Sequence, residues 1–119
     1  CVARSLGHAG AELLPPITPY FVMKVGHVPL LPYVRPGAPE AAAQVVAAIE
    51  RFGAAGTPLR AVMLARLGPN VWHDTPSAAL AVLEELEETA RLFAFCDGDV
   101  TPLSEPEIDE LRRTFGARW

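Results

Sequence analysis

The chain has few of the features that mark several large functional classes. Lysine is almost missing: Lys24 stands alone beside nine arginines, against 14 acidic residues, for a formal charge of −4 at pH 7. A surface that displaces counterions from phosphates needs clustered cations, so a nucleic-acid partner is excluded. No apolar run approaches the ~20 residues that cross a bilayer, and the amino end lacks a basic-then-apolar leader pattern. A soluble, cytoplasmic protein without a membrane partner is the expectation. The only cysteines, Cys1 and Cys96, are far apart and have no short metal-type spacing; they read as two free thiols, buried or half-buried. The first residue is Cys1 and not methionine, which reads as a start inside a longer reading frame. No internal repeat or low-complexity segment is evident.

Apolar residues make up half of the 119, and charged residues 20%, the composition of one globular domain. Residues 13–19 hold three prolines, which fix φ and remove donors, so an ordered extended loop is expected. Residues 20–25 alternate bulky and smaller side chains, Gly26-His27 offers a turn, and residues 28–34 read as a strand with Pro29 and Pro32 at an edge or irregularity. Pro39 suits the first turn of a helix running to about Phe52, with Val45, Val46, Ile49 and Phe52 on one face and Gly53 and Gly56 ending it. Residues 59–64 form a buried-strand candidate, Gly68-Pro69 bends the chain, and residues 70–73 suit the second strand of a hairpin. Thr75-Pro76 combines a capping hydroxyl with a proline at the first helical position. The helix it opens should reach about Phe95, with Ala79, Val82, Leu83, Leu86, Ala90 and Phe93 on one face and most of Glu84–Glu88 in solvent. Ser104 and Glu107 form a capping box for a last helix carrying Ile108, Leu111 and Phe115; Arg112 and Arg113 lie in its last turns, where cations offset the dipole. A few short strands with three helices leave sheet edges that must be covered, so the sequence looks like part of a domain.

The stretch from Leu14-Pro15-Pro16-Ile17-Thr18-Pro19-Tyr20-Phe21 through Met23-Lys24-Val25-Gly26, then Val28-Pro29-Leu30-Leu31-Pro32-Tyr33 and Arg35-Pro36-Gly37, closely resembles one branch of the class II aldolase/adducin family, the branch of the 3-oxo-tetronate 4-phosphate decarboxylases. Leu64-Ala65-Arg66-Leu67-Gly68-Pro69-Asn70-Val71-Trp72 resembles the family's strand-turn motif, and Glu84-Glu85-Leu86-Glu87-Glu88-Thr89-Ala90-Arg91-Leu92 its following helix. The resemblance implies an α/β fold: residues 1–119 as an incomplete class II aldolase/adducin domain, the C-terminal part of a three-layer α/β/α domain with a mostly antiparallel sheet. It also implies a homotetramer with sites between subunits and a divalent metal, commonly zinc, held by three histidines. In such enzymes the metal acts as a Lewis acid toward the enediolate formed from a phosphorylated sugar acid or ketose.

By the same resemblance, the family's His-x-His pair, catalytic carboxylate and phosphate loops fall upstream of Cys1. The third ligand belongs in Asn-His-Gly-Pro, and here that stretch reads Arg66-Leu67-Gly68-Pro69. Leucine cannot bind a metal, and His8, His27 and His73 have no paired ligand at metal-type spacing. No metal residue is therefore assigned, and no cofactor is expected for this chain alone; zinc or another divalent metal is implied only for the full-length family enzyme. Tyr20 matches a tyrosine that helps protonate the carbanion-like intermediate in a neighbouring subunit's site; the alternative is an aromatic packed in the proline-rich loop. Arg35, with Tyr33 beside it, is the candidate for binding a substrate phosphate or carboxylate, or else a surface residue. Two functions follow: a fragment or degenerate member of a metal-dependent lyase family, inactive as given, or a non-catalytic, adducin-like interaction subunit.

Overall fold

The computed structural model describes residues 1, 2, 4 and 11–119. His8 lies outside these residues. The fold is α/β, with a three-stranded sheet in the order β1 (Leu30–Leu31), β2 (Ala61–Leu64), β3 (Gly68–Val71). Three α-helices lie wholly within the described residues: α1 (Pro39–Ala54), α2 (Pro76–Phe95) and α3 (Glu105–Phe115). A π-helical turn, Phe21–Val25, precedes β1.

The sheet is mixed and not mostly antiparallel. β1 pairs with β2 in parallel and β2 with β3 antiparallel, because α1 carries the chain back between the first two strands whereas a three-residue turn joins the last two. The strand read over residues 28–34 shrinks to Leu30–Leu31; Pro29 and Pro32 bracket it and cannot donate to a ladder. Its outer edge is covered by residues 11–13, through Leu13 N–H to the Val28 carbonyl (2.9 Å) and Leu30 N–H to the Ala11 carbonyl (2.8 Å). The hairpin turn comes earlier than read: Ala65, Arg66 and Leu67 make it, Arg66 adopts φ +65°, and Gly68-Pro69 begins β3. Pro69 is tolerated because β3 is an edge strand.

Side chains alternate along β2, as the period of two demands. Ala61 and Met63 pack with Leu13, Phe21, Val25, Val28 and the α2 residues Val82, Leu86 and Ala90. Val62 packs with Leu31, Ala48 and Leu59, with Val45 and Phe52 of α1 against them. Fully burying one such large side chain contributes roughly 1.5–3 kcal/mol. The α2 start is as read: Thr75 Oγ1 accepts from Ala78 N–H at 3.1 Å, and Pro76 opens the helix. α3 opens with the Ser104–Glu107 capping box, whose hydroxyl and amide donors hold the Glu107 carboxyl below the usual glutamate range. Its apolar face differs from the reading: Ile108 is buried but Phe115 is 63% exposed. Gly116, at φ +67°, turns the chain back so that Trp119 packs against the core in place of Phe115.

Candidate functional site

Tyr20 is presented by a short helical segment that begins at Pro19. Proline suits a helical first turn. Thr18 caps it, its Oγ1 accepting from Phe21 N–H (3.1 Å) and its carbonyl from Val22 N–H (3.2 Å). The segment then widens to π geometry, with Gly26 N–H donating to the Phe21 carbonyl at 2.9 Å. The alternating pattern of residues 20–25, which suits an extended segment, is overridden by these caps and by a distant residue: Arg60 Nη1 donates to the carbonyls of Met23 (3.3 Å) and Lys24 (2.8 Å). Phe21, Val22 and Val25 are buried beneath the turn, and Tyr20 is 60% exposed.

The Tyr20 side chain is not buried. The Lys24 ammonium lies 5.1 Å from its ring centroid, within cation–π range, and 3.9 Å from Glu85 Oε2. The expectation that most of the glutamate run lies in solvent has one exception: the Glu85 side chain is 20% exposed and reaches the lysine beside Tyr20. Glu84, Glu87 and Glu88 do face solvent, and Arg91 holds the Glu88 carboxyl below the usual range.

Arg35 sits in the turn before α1, exposed, its carbonyl accepting from Ala38 N–H at 3.1 Å. Tyr33 is exposed as well. No hydrogen bond or ion pair joins Arg35 to Tyr33 or to Tyr20 among the described residues. Tyr20, Tyr33 and Arg35 are all exposed, and no hydrogen bond gathers them together among the described residues. A cleft of about 1010 Å³ is lined by Arg4, Glu84, Glu87, Glu88, Arg91 and neighbours, and includes neither Tyr20 nor Arg35.

Leu67 sits in the β2–β3 turn, 40% exposed, its N–H donating to the Leu64 carbonyl at 3.0 Å. Neither described histidine replaces it. His27 Nδ1 is 3.4 Å from the Glu12 carboxylate, and its ring stacks on Trp119 at 4.1 Å; His73 Nδ1 accepts from Asp74 N–H at 2.8 Å. Among the described residues no three His, Cys, Asp or Glu side chains converge as a metal would require, so the donor set here does not fit a zinc site. Both thiols are free, but Cys96 is exposed and not buried, because it caps the solvent end of α2.

Residues 1–94 match the family model described as the class II aldolase and adducin N-terminal domain. The chain belongs to the class II aldolase/adducin family. It is 46% identical over 115 residues to the 3-oxo-tetronate 4-phosphate decarboxylase of Cupriavidus necator, covering 91% of this chain and 49% of that protein. The Escherichia coli K12 protein of the same name is 41% identical over 107 residues, 89% of this chain and 47% of that one. Among solved structures, YgbL from Klebsiella pneumoniae, a candidate aldolase/epimerase/decarboxylase, superposes with a TM-score of 0.76 at 37% identity, over 93% of this chain and 52% of the other. Its Escherichia coli counterpart gives 0.73 at 36%. The chain spans about half the length of the relatives it matches.

Two contributors to the candidate site, Lys24 and Glu85, escaped the sequence reading. The signal available was the isolation of Lys24, the single lysine of the chain, four positions after Tyr20 in a segment that turns out to be helical.

Proposed function

We propose that this chain is a fragment or degenerate member of a lyase family acting on phosphorylated sugar acids, of the 3-oxo-tetronate 4-phosphate decarboxylase kind, and that it is inactive as given. The observation that carries this is the 46% identity to the Cupriavidus necator decarboxylase over 91% of the chain. In this reading residues 1–119 are the C-terminal part of a three-layer α/β/α domain, assembled in the cytoplasm as a homotetramer. Zinc or another divalent metal belongs to the longer family enzyme; the aliphatic Leu67 and the scattered histidines do not fit it, and no step is assigned to a metal here.

What the chain offers chemically is its own side chains. Tyr20 would present its phenol at a neighbouring subunit's site as a proton donor to carbon, with Lys24 beside the ring to bias charge at that position. Arg35 would pair with a phosphate or carboxylate oxygen through parallel N–H bonds.

The second reading, a non-catalytic adducin-like interaction subunit, is favoured by one observation: the ligand position carries an exposed leucine, a change that structural selection alone tolerates. Both readings predict no turnover of 3-oxo-tetronate 4-phosphate by this polypeptide with added zinc. Carbon dioxide release above background in that assay would sink the assignment of inactivity. Mixing with a separately expressed upstream half of a relative divides the two readings. Weak turnover that Tyr20→Phe abolishes supports the lyase, whereas a stable, inactive complex supports the interaction subunit.

A further inference from the structure

At the end of the hairpin opposite the Leu67 turn, the pairs Ala61↔Val71 and Trp72 N–H to the Arg60 carbonyl (2.9 Å) bring Arg60 and Trp72 side by side. They line a cleft of about 640 Å³ with Val25, His73, Asp74 and Arg118, a size suited to a small-molecule ligand. Four separate stretches of the chain build it: the π-helical turn, the approach to β2, the exit from β3 and the C-terminal tail.

The tail is held in place by several contacts. Gly116 ends α3 in the left-handed conformation, and Arg112 Nε and Nη2 donate to the Trp119 carbonyl at 3.0 and 2.8 Å. The Trp119 ring stacks on His27 and meets Phe21 edge-on at 5.8 Å. The anchored Trp119 leaves its neighbour Arg118 exposed over the cleft, with no carboxylate partner among the described residues. Arg60 uses only Nη1, on two backbone carbonyls; its Nε and Nη2 make no hydrogen bond among the described residues. The single acid of the lining, Asp74, is 97% exposed and well screened there. Two guanidiniums with unused donors and an indole thus share one concavity.

We propose that this cleft binds a small organic anion with an apolar body, its carboxylate paired to Arg118 and Arg60 and its body laid against Trp72. Guanidinium forks match carboxylate oxygens in pairs, and the indole face supplies apolar area. The proposal is independent of the lyase reading: it uses neither Tyr20, Arg35 nor Leu67.

The test is a titration of the 119-residue chain with benzoate, followed by tryptophan fluorescence and by the backbone amide shifts of residues 60, 72 and 118. Benzyl alcohol supplies the body without charge, and inorganic phosphate the charge without the body, all at constant ionic strength. Saturable shifts with benzoate, at least about tenfold weaker in Arg118→Ala and unchanged in Arg113→Ala, are expected. Circular dichroism checks that the exposed Arg118 substitution leaves the fold intact, and Arg118→Lys should retain part of the affinity. No saturable response to benzoate, or one that Arg118→Ala leaves undiminished, overturns the site. Phosphate or benzyl alcohol binding as tightly as benzoate overturns the stated ligand class.

Discussion

The two ends of the β2–β3 hairpin differ in kind although they lie only a few residues apart. At the turn end Arg66 takes a left-handed conformation and Leu67 projects an alkyl group into solvent, at the position where the family resemblance calls for an imidazole. At the open end Arg60, Trp72 and His73 gather hydrogen-bond donors and aromatic surface. The strands between are the same for both ends, so the difference teaches that the hairpin is retained as packing and that its chemistry is set end by end. Residues whose removal harms both ends belong to the core, and those that harm one end belong to that end's local work.

The largest effect should come from the shared part. Met63 is fully buried in β2 between α2 and the π-helical turn, and Met63→Ala removes most of its side chain from a packed site. A loss of about 2–5 kcal/mol in urea denaturation is expected, a large fraction of the ~5–15 kcal/mol that typically holds a domain together. Both ends should loosen together, with amide exchange accelerating at Leu67 and at Trp72 alike. Retention of protection at one end alone would show that the two are not mechanically joined through β2.

An intermediate effect should appear at the open end only. Arg60→Ala removes two charge-assisted donors from the Met23 and Lys24 carbonyls, at an expected cost of about 1–3 kcal/mol. Its signature is local: faster exchange at Val25 and Gly26 and a change at Tyr20, which the same turn presents, with the Leu67 amide unaffected. An equal response at Leu67 would break the comparison.

How much of this was legible in the sequence depends on how far away the deciding residues lie. α2 was readable from end to end, because Thr75, Pro76 and a sustained 3.6-residue apolar period all sit within the helix; the Ser104–Glu107 box was equally local. The hairpin was legible in kind, but its turn was not, since Gly68-Pro69 looks like punctuation and is in fact edge strand. The π-helical turn was hidden: residues 20–25 alternate, and what coils them includes Arg60, 36 and 37 residues away from the carbonyls it holds. The mixed character of the sheet was likewise out of reach, because the pairing of β1 with β2 depends on where α1 returns the chain. In the candidate site Tyr20 was found through the family resemblance, while the Lys24–Glu85 contact against it was lost to the assumption that a run of glutamates is a solvated face. Phe115 is one of the apolar residues the sequence places on α3, yet it is exposed, and the tail beyond Gly116 packs Trp119 against the core.

The smallest effect should lie at the turn end, and it is the most informative about the family. Leu67 is exposed and makes only a backbone hydrogen bond, so Leu67→His should change the stability of this chain by no more than about 0.5 kcal/mol. Zinc affinity of the chain alone should also stay where it is, because no second and third donor stands nearby among the described residues and one imidazole does not make a site. The same substitution in a hybrid with the upstream half of a decarboxylase relative should tighten zinc by at least about tenfold, since even outer-shell losses reach that size. Metal analysis after dialysis checks both arms. A gain in the hybrid alone places the missing ligand at residue 67, whereas no gain in either arm would mean that the turn end was never the metal's side of the hairpin.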